Sequence, residues 1–228
     1  MLYKYPQAEF PYARLVDENR RRGADLPEFE LLDTGVFDND RYFDVFVEYA
    51  KAAPDDILML VTVHNRGPEP AKLFLLPQFC FRNIWSWKLN PIKPKLAADS
   101  GGINVEHRLL GRFRLDCGGN PALLFCENET NSRRLYGRQI QGYFKDAFHD
   151  YVVNGNRAAV NPNNTGTKAA ALYALNVQPG TPVSVRVRLV KLDGPPAAGP
   201  KRMNSTPPCS ATSRRPTPGW SNARHLPA

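Results

Sequence analysis

From Phe29 onward the chain is written in short runs of β-branched and aromatic residues: FELLDTGVF, YFDVFVEYAKA, DILMLVTVHNR and AKLFLLPQFCFRN. Only brief polar turns separate them, among them Asp38-Asn39-Asp40, Ala53-Pro54-Asp55-Asp56 and Asn65-Arg66-Gly67-Pro68. Turns this short join antiparallel neighbours, whereas a parallel crossover needs a dozen residues or more. Within Tyr42 to Tyr49 the alternation is explicit, with Phe43, Val45 and Val47 directed to one face and Tyr42, Asp44, Phe46 and Glu48 to the other. Further strands are expected at Val105–Leu110, Ala122–Glu127, Lys168–Val177 and Val183–Lys191. The sole helical candidate is the short stretch Gln141–Val153. Many strands, short turns and no long amphipathic helix predict an all-β fold, an antiparallel β-sandwich spanning residues 29–192. Residues 1–28 read as a lead-in segment without a sustained helical stripe, and no internal repeat is found.

After Leu192 the character changes. Residues 194–228 hold eight prolines and five cations, Lys201, Arg202, Arg214, Arg215 and Arg224, with no Asp or Glu. Those five supply most of the formal +8, leaving +3 on the body. Neither strand nor helix periodicity survives there, so 193–228 is expected to be a disordered basic tail. A pI near 9.4 therefore reflects an appended segment rather than a basic face, and specific nucleic-acid binding is not expected. The four cysteines, Cys80, Cys117, Cys126 and Cys209, include no CxxC pair and follow no signal peptide, which predicts reduced thiols and a cytoplasmic location. The apolar runs are strand-length, so no membrane span is expected.

Candidate chemistry is sparse. Asp38, Asp40 and Asp44 flank a turn but lack the glycine and terminal glutamate of a calcium loop. His107 and His149 have no partner at metal spacing, and no cofactor or metal fingerprint is found. Glu127 and Glu129 stand two apart, which in a strand directs both carboxylates to one side; glycoside hydrolysis uses paired carboxylates, while solvated acids at a strand end are the plainer reading. Trp85 and Trp87, close together and followed by LNPIKPK, suit a half-wet rim or an interface.

Taken together, the blocks LYKYPQAEFPY, ELLDTGVFDNDRYFDVFVEYAKA, NRGPEPAKLFLLP, FRNIWSW, ENETN, KDAFHDYV, AVNP and GTKAAALY resemble the N-terminal β-rich region of bacterial proteins related to glycoside hydrolase family 63, of glucosidase or mannosylglycerate-hydrolase type. The resemblance covers about residues 2–192. It implies a β-sandwich packed on a catalytic (α/α)6 barrel that hydrolyses α-glycosidic bonds with inversion. No part of the chain matches that barrel, so no catalytic residue is carried over, and the chain alone is expected to be inactive.

Three departures stand out. Relatives extend upstream of LYKYPQ, which makes Met1 an expected internal start and leaves the sandwich short of its first elements. Cys80 and Cys126 replace other side chains. After RLVKLDG the resemblance stops, as a frameshift would produce, with a true linker as the alternative.

The expected role is thus a non-catalytic β-domain bracing the barrel. Trp85 and Trp87 are expected at the interface, and Glu127, Glu129, Asn131, Lys145, Asp146 and His149 as candidate sugar or interface contacts. The alternative is a free-standing carbohydrate-binding sandwich whose tryptophans stack on oligosaccharide.

Overall fold

The computed structural model describes residues 1–87 and 92–192; the expectation of a disordered tail falls outside them. In chain order the elements are β1 (Leu2–Pro6), α1 (Tyr12–Arg22), β2 (Tyr42–Ala53), β3 (Asp56–Asn65), β4 (Ala71–Leu75), β5 (Gln78–Cys80), β6 (Lys95–Asp99), β7 (Gly102–His107), β8 (Gly111–Cys117), β9 (Ala122–Cys126), α2 (Ser132–Tyr136), α3 (Ala147–Val152), β10 (Thr165–Gly166), β11 (Lys168–Val177) and β12 (Val183–Lys191).

Eight strands form one sheet in the order β1-β2-β3-β12-β8-β7-β6-β10, and every neighbouring pair is antiparallel. The second sheet is built around β11. On one side β11 pairs with β4 and β5 in a single register that runs through Tyr173↔Leu75 and on to Ala170↔Gln78, so β4 and β5 are one strand interrupted at Leu76-Pro77. Pro77 has no N–H to give to a ladder, yet its carbonyl still accepts from the Ala171 N–H at 3.0 Å. On the other side β11 pairs with β9.

The two sheets bury their facing sides together. Phe43, Val45, Val61, Val63, Val185 and Val187 come from the large sheet, and Leu73, Phe125, Ala169, Ala171 and Tyr173 from the small one. The period-2 pattern read in β2 holds: Phe43 and Val45 are buried inward. Asp44 points the other way and is nonetheless only 5% exposed, because Lys4 Nζ and Arg66 Nε donate to its two carboxylate oxygens at 2.6 and 2.7 Å. Small residues bring the layers close: a Cβ on Gly166 would run into the Cys126 carbonyl.

Three local expectations are corrected. The lead-in is not separate from the sandwich, since β1 is an edge strand pairing Leu2–Pro6 with Phe46–Tyr42. Within it, Tyr12–Arg22 is a helix none of whose residues is buried; its large apolar residues, Tyr12, Leu15 and Val16, are confined to its first turns and give way to charged and polar residues from Asp17 on, too short a run to read as a sustained stripe. It is tied down from outside: the Asn19 side chain accepts from the Phe29 N–H at 2.7 Å and donates to the Phe29 carbonyl at 3.0 Å. The guanidiniums of Arg14 and Arg22 lie over the Phe29 ring. FELLDTGVF is not a strand; Glu30 and Asp33 cap a 3-10 turn over Leu31–Thr34, closed by Gly35 at φ 74. The helical piece expected over 141–153 is shorter, confined to α3.

Candidate functional site

The outward face of the small sheet is covered by a third layer made of residues 127–164. Alternation along β9 and β11 sends Leu124, Cys126 and Ala170 outward, where Ala147 and Phe148 of α3 close over them as a second, smaller core. Burial in this core pushes the Cys126 thiol up to about 12, and the main core pushes Cys117 up to about 11. Both are inert thiols at neutral pH.

The stretch ENETN leaves the end of β9 and is held by main-chain and side-chain bonds. The Glu127 N–H donates to the Tyr143 carbonyl at 2.7 Å and the Lys145 N–H to the Glu129 carbonyl at 3.0 Å, which lays the 143–145 segment beside 127–129. Asn128 is a three-way clamp. Its N–H donates to Thr167 Oγ1 at 2.7 Å, its amide to the Phe81 carbonyl at 2.9 Å, and its carbonyl accepts from Asn83 Nδ2 at 2.8 Å. Asn131 caps α2 by accepting from the Arg134 N–H at 3.1 Å, and its amide donates to Asp146, which also accepts from Arg134 Nη1 at 3.3 Å.

The two carboxylates singled out in the sequence do converge on one side. Glu129 Oε1 accepts from Lys93 Nζ at 2.6 Å and from Trp85 Nε1 at 3.0 Å; Glu127 Oε2 accepts from Thr167 Oγ1 at 2.8 Å and lies 3.8 Å from Lys93 Nζ. Burial by itself would raise the Glu129 carboxyl, but the bonds from Lys93 and Trp85 and the Lys93 charge hold it below its usual range. Burial likewise works against the Lys93 ammonium, and the Glu129 bond and the two carboxylate charges hold it above its usual range. A general acid in glycoside hydrolysis needs the opposite shift, a carboxyl kept protonated. As arranged, the pair receives a lysine and an indole and joins three loops.

Trp85 departs from the half-wet rim expected of it. It is 7% exposed, buried because its indole N–H finds the Glu129 partner a buried indole requires. Trp87 is 57% exposed, with the Arg82 guanidinium over its ring. Lys145 enters the site through its main chain, its carbonyl accepting from Lys168 Nζ at 3.0 Å. His149 is exposed and lines neither of the grooves described next. His107, outside the site, accepts from the Leu109 and Leu110 N–H groups in its own turn.

Two adjoining grooves open in this layer. One, of about 630 Å³, is bordered by Asn131, Arg133, Gln141, Asp146, Asp150 and Asn156 among others; its neighbour, of about 510 Å³, by Tyr143, Tyr151, Arg157, Val160 and Asn161 among others. The Arg157 guanidinium sits 4.3 Å from the Tyr151 ring centroid. Around them Leu135, Tyr136 and Val153 stand more than half exposed and Ile140 over a third. Among the described residues no group of three His, Cys, Asp or Glu is placed to hold a metal ion, and no helix is long and apolar enough to cross a membrane.

Lys93, Asn83, Asn128, Thr167, Tyr143, Tyr151 and Arg157 were not singled out by the sequence. Asn128 and Tyr151 lie within the ENETN and KDAFHDYV blocks, whereas Lys93, Asn83 and Thr167 find their partners dozens of residues away.

No protein-family model matches the chain. Among curated proteins, the chain is 36% identical over 226 residues to the uncharacterized protein YMR196W of Saccharomyces cerevisiae, an alignment covering 82% of this chain and 21% of that protein. The chain thus spans about a fifth of the length of the curated relative it matches.

Proposed function

We propose that this chain is the non-catalytic β-sandwich domain of a family 63-like α-glycosidase, bracing an (α/α)6 barrel that hydrolyses α-glycosidic bonds with inversion, and that residues 127–164 form the face turned toward that barrel. The observation that carries the reading is the exposed set Leu135, Tyr136, Ile140 and Val153 on a layer whose polar groups are otherwise tied to one another. It is supported by the ion-paired state of Glu127 and Glu129, which leaves them unsuited to acid catalysis, and by the small share of a much longer relative that the chain spans. The purified chain is expected to show no turnover of an α-glucoside and to bind a hydrophobic dye, with Leu135→Asp/Tyr136→Asp lowering the dye signal. Turnover, or a dye signal indifferent to the double substitution, overturns it.

A second reading, a free-standing carbohydrate-binding sandwich, is favoured by the exposed indole of Trp87 and by the Tyr143, Tyr151 and Arg157 groove. It requires a Trp fluorescence change on adding gluco-oligosaccharides that Trp87→Ala abolishes. Sugars that change nothing leave the bracing reading standing.

A further inference from the structure

Asn154-Gly155 is the one Asn-Gly dipeptide in the chain. It lies immediately past the end of α3, and both residues are exposed. Gly155 adopts φ +69 with open space where a side chain would project. A backbone nitrogen that follows asparagine can attack the side-chain amide carbon, and glycine hinders that approach least, having no Cβ and the widest backbone freedom. Asparagine is accordingly one of the thermally labile residues.

We propose that Asn154 is a site of spontaneous deamidation, independent of the function assigned above. The Gly155 nitrogen forms a bond to Asn154 Cγ and gives up its proton to water; the bond from Cγ to the side-chain nitrogen breaks and ammonia leaves, closing a succinimide. Water then opens the ring at either carbonyl, yielding aspartate or isoaspartate. Neither an oxidant nor a cofactor is needed.

The position gives the reaction a structural consequence. Asn154 Nδ2 donates to Asp150 Oδ1 at 2.9 Å, so conversion replaces a donor with a second carboxylate facing the first. Asp150 also accepts the Asn156 N–H at its main-chain carbonyl, 3.0 Å away, and Asp150 and Asn156 both border the larger groove. The isoaspartate form further lengthens the backbone in the turn that closes α3. Deamidation is therefore a slow, one-way loosening of the end of α3 and of the groove rim.

The test is to hold the folded chain in warm, mildly alkaline buffer and follow it by peptide mapping. The peptide containing Asn154 should gain the mass of an amide-to-acid conversion and split into aspartate and isoaspartate forms several times faster than the peptide containing Asn104, which precedes a valine. Asn154→Gln should keep its mass, and Asn154→Asp should speed hydrogen exchange of the α3 amides. Conversion at Asn154 no faster than at Asn104, or conversion in the denatured chain with none in the folded one, overturns the proposal.

Discussion

The core between the two sheets and the layer over the small sheet's outer face are held by different physics. Between the sheets, Phe43, Ile103, Val105, Phe125 and Val177 are 0–1% exposed, and stability there comes from apolar area removed from water along ladders that pair residue with residue. Over the outer face, the apolar contribution is a small cluster around Phe148. The rest is a set of point ties: Asn128 to Phe81, Asn83 and Thr167, Asn131 to Asp146, Lys93 to Glu129. A core of the first kind resists local opening, whereas a layer of the second kind opens tie by tie. Under the bracing role proposed above, such a layer is the face turned toward the barrel.

The sharpest break would come from paired truncations. Phe125→Ala empties a site in the shared core and should cost about 3–5 kcal/mol in denaturant titrations. Phe148→Ala should cost less and show itself as fast hydrogen exchange confined to α3 and its neighbours. Equal losses in one shared transition would mean that the outer layer belongs to the main cooperative unit.

Next in size is the outward side of the large sheet, where Arg188 Nε and Nη2 donate to Asp56 at 2.8 and 2.5 Å and Asp56 is 1% exposed. Arg188→Met strands a buried carboxylate and should cost about 3 kcal/mol. The Arg188 bonds hold the Asp56 carboxyl below its usual range in spite of burial. Its contribution is thus fully present above the ordinary aspartate value and is lost as pH falls through the lowered one. Acid titration of stability should flatten over that window in the Arg188→Met protein; an unchanged slope would assign the acid sensitivity elsewhere.

Smaller again is Asn128→Ala, which removes one amide tie and leaves the Phe81 carbonyl without that donor. It should cost about 1–2 kcal/mol and raise exchange at Glu127 and Lys145 while leaving β12 protected. The smallest effect is expected from Glu129→Gln, about 0–1 kcal/mol and weakened further by salt, since Lys93 is half exposed. A large loss would mark Glu129 as the centre of the layer.

Legibility in the sequence divides along the same line. Lys168–Val177 and Val183–Lys191 are strands with the bounds read from the sequence, and the inward residues of β2 follow from alternation, because a period of two is written into neighbouring residues. What escaped was whatever depended on distant partners. Helix α1 has its large apolar residues only in its first turns and is fixed from outside by Phe29, and the interruption at Leu76-Pro77 hides the fact that β4 and β5 share one register. Of the candidate contacts, Trp85, Glu127 and Glu129 meet, Asn131 and Asp146 meet separately, and Trp87 and His149 stand apart.

The sequence by itself determined an antiparallel β protein and which side of β2 is apolar, since those are local properties of pleat and turn. Only the tertiary structure decided which strands become neighbours, such as β3 beside β12 across more than a hundred residues. It also decided that Glu129 is an anion fastened to Lys93 and Trp85, because its charge state is set by burial and by groups that folding alone brings within reach.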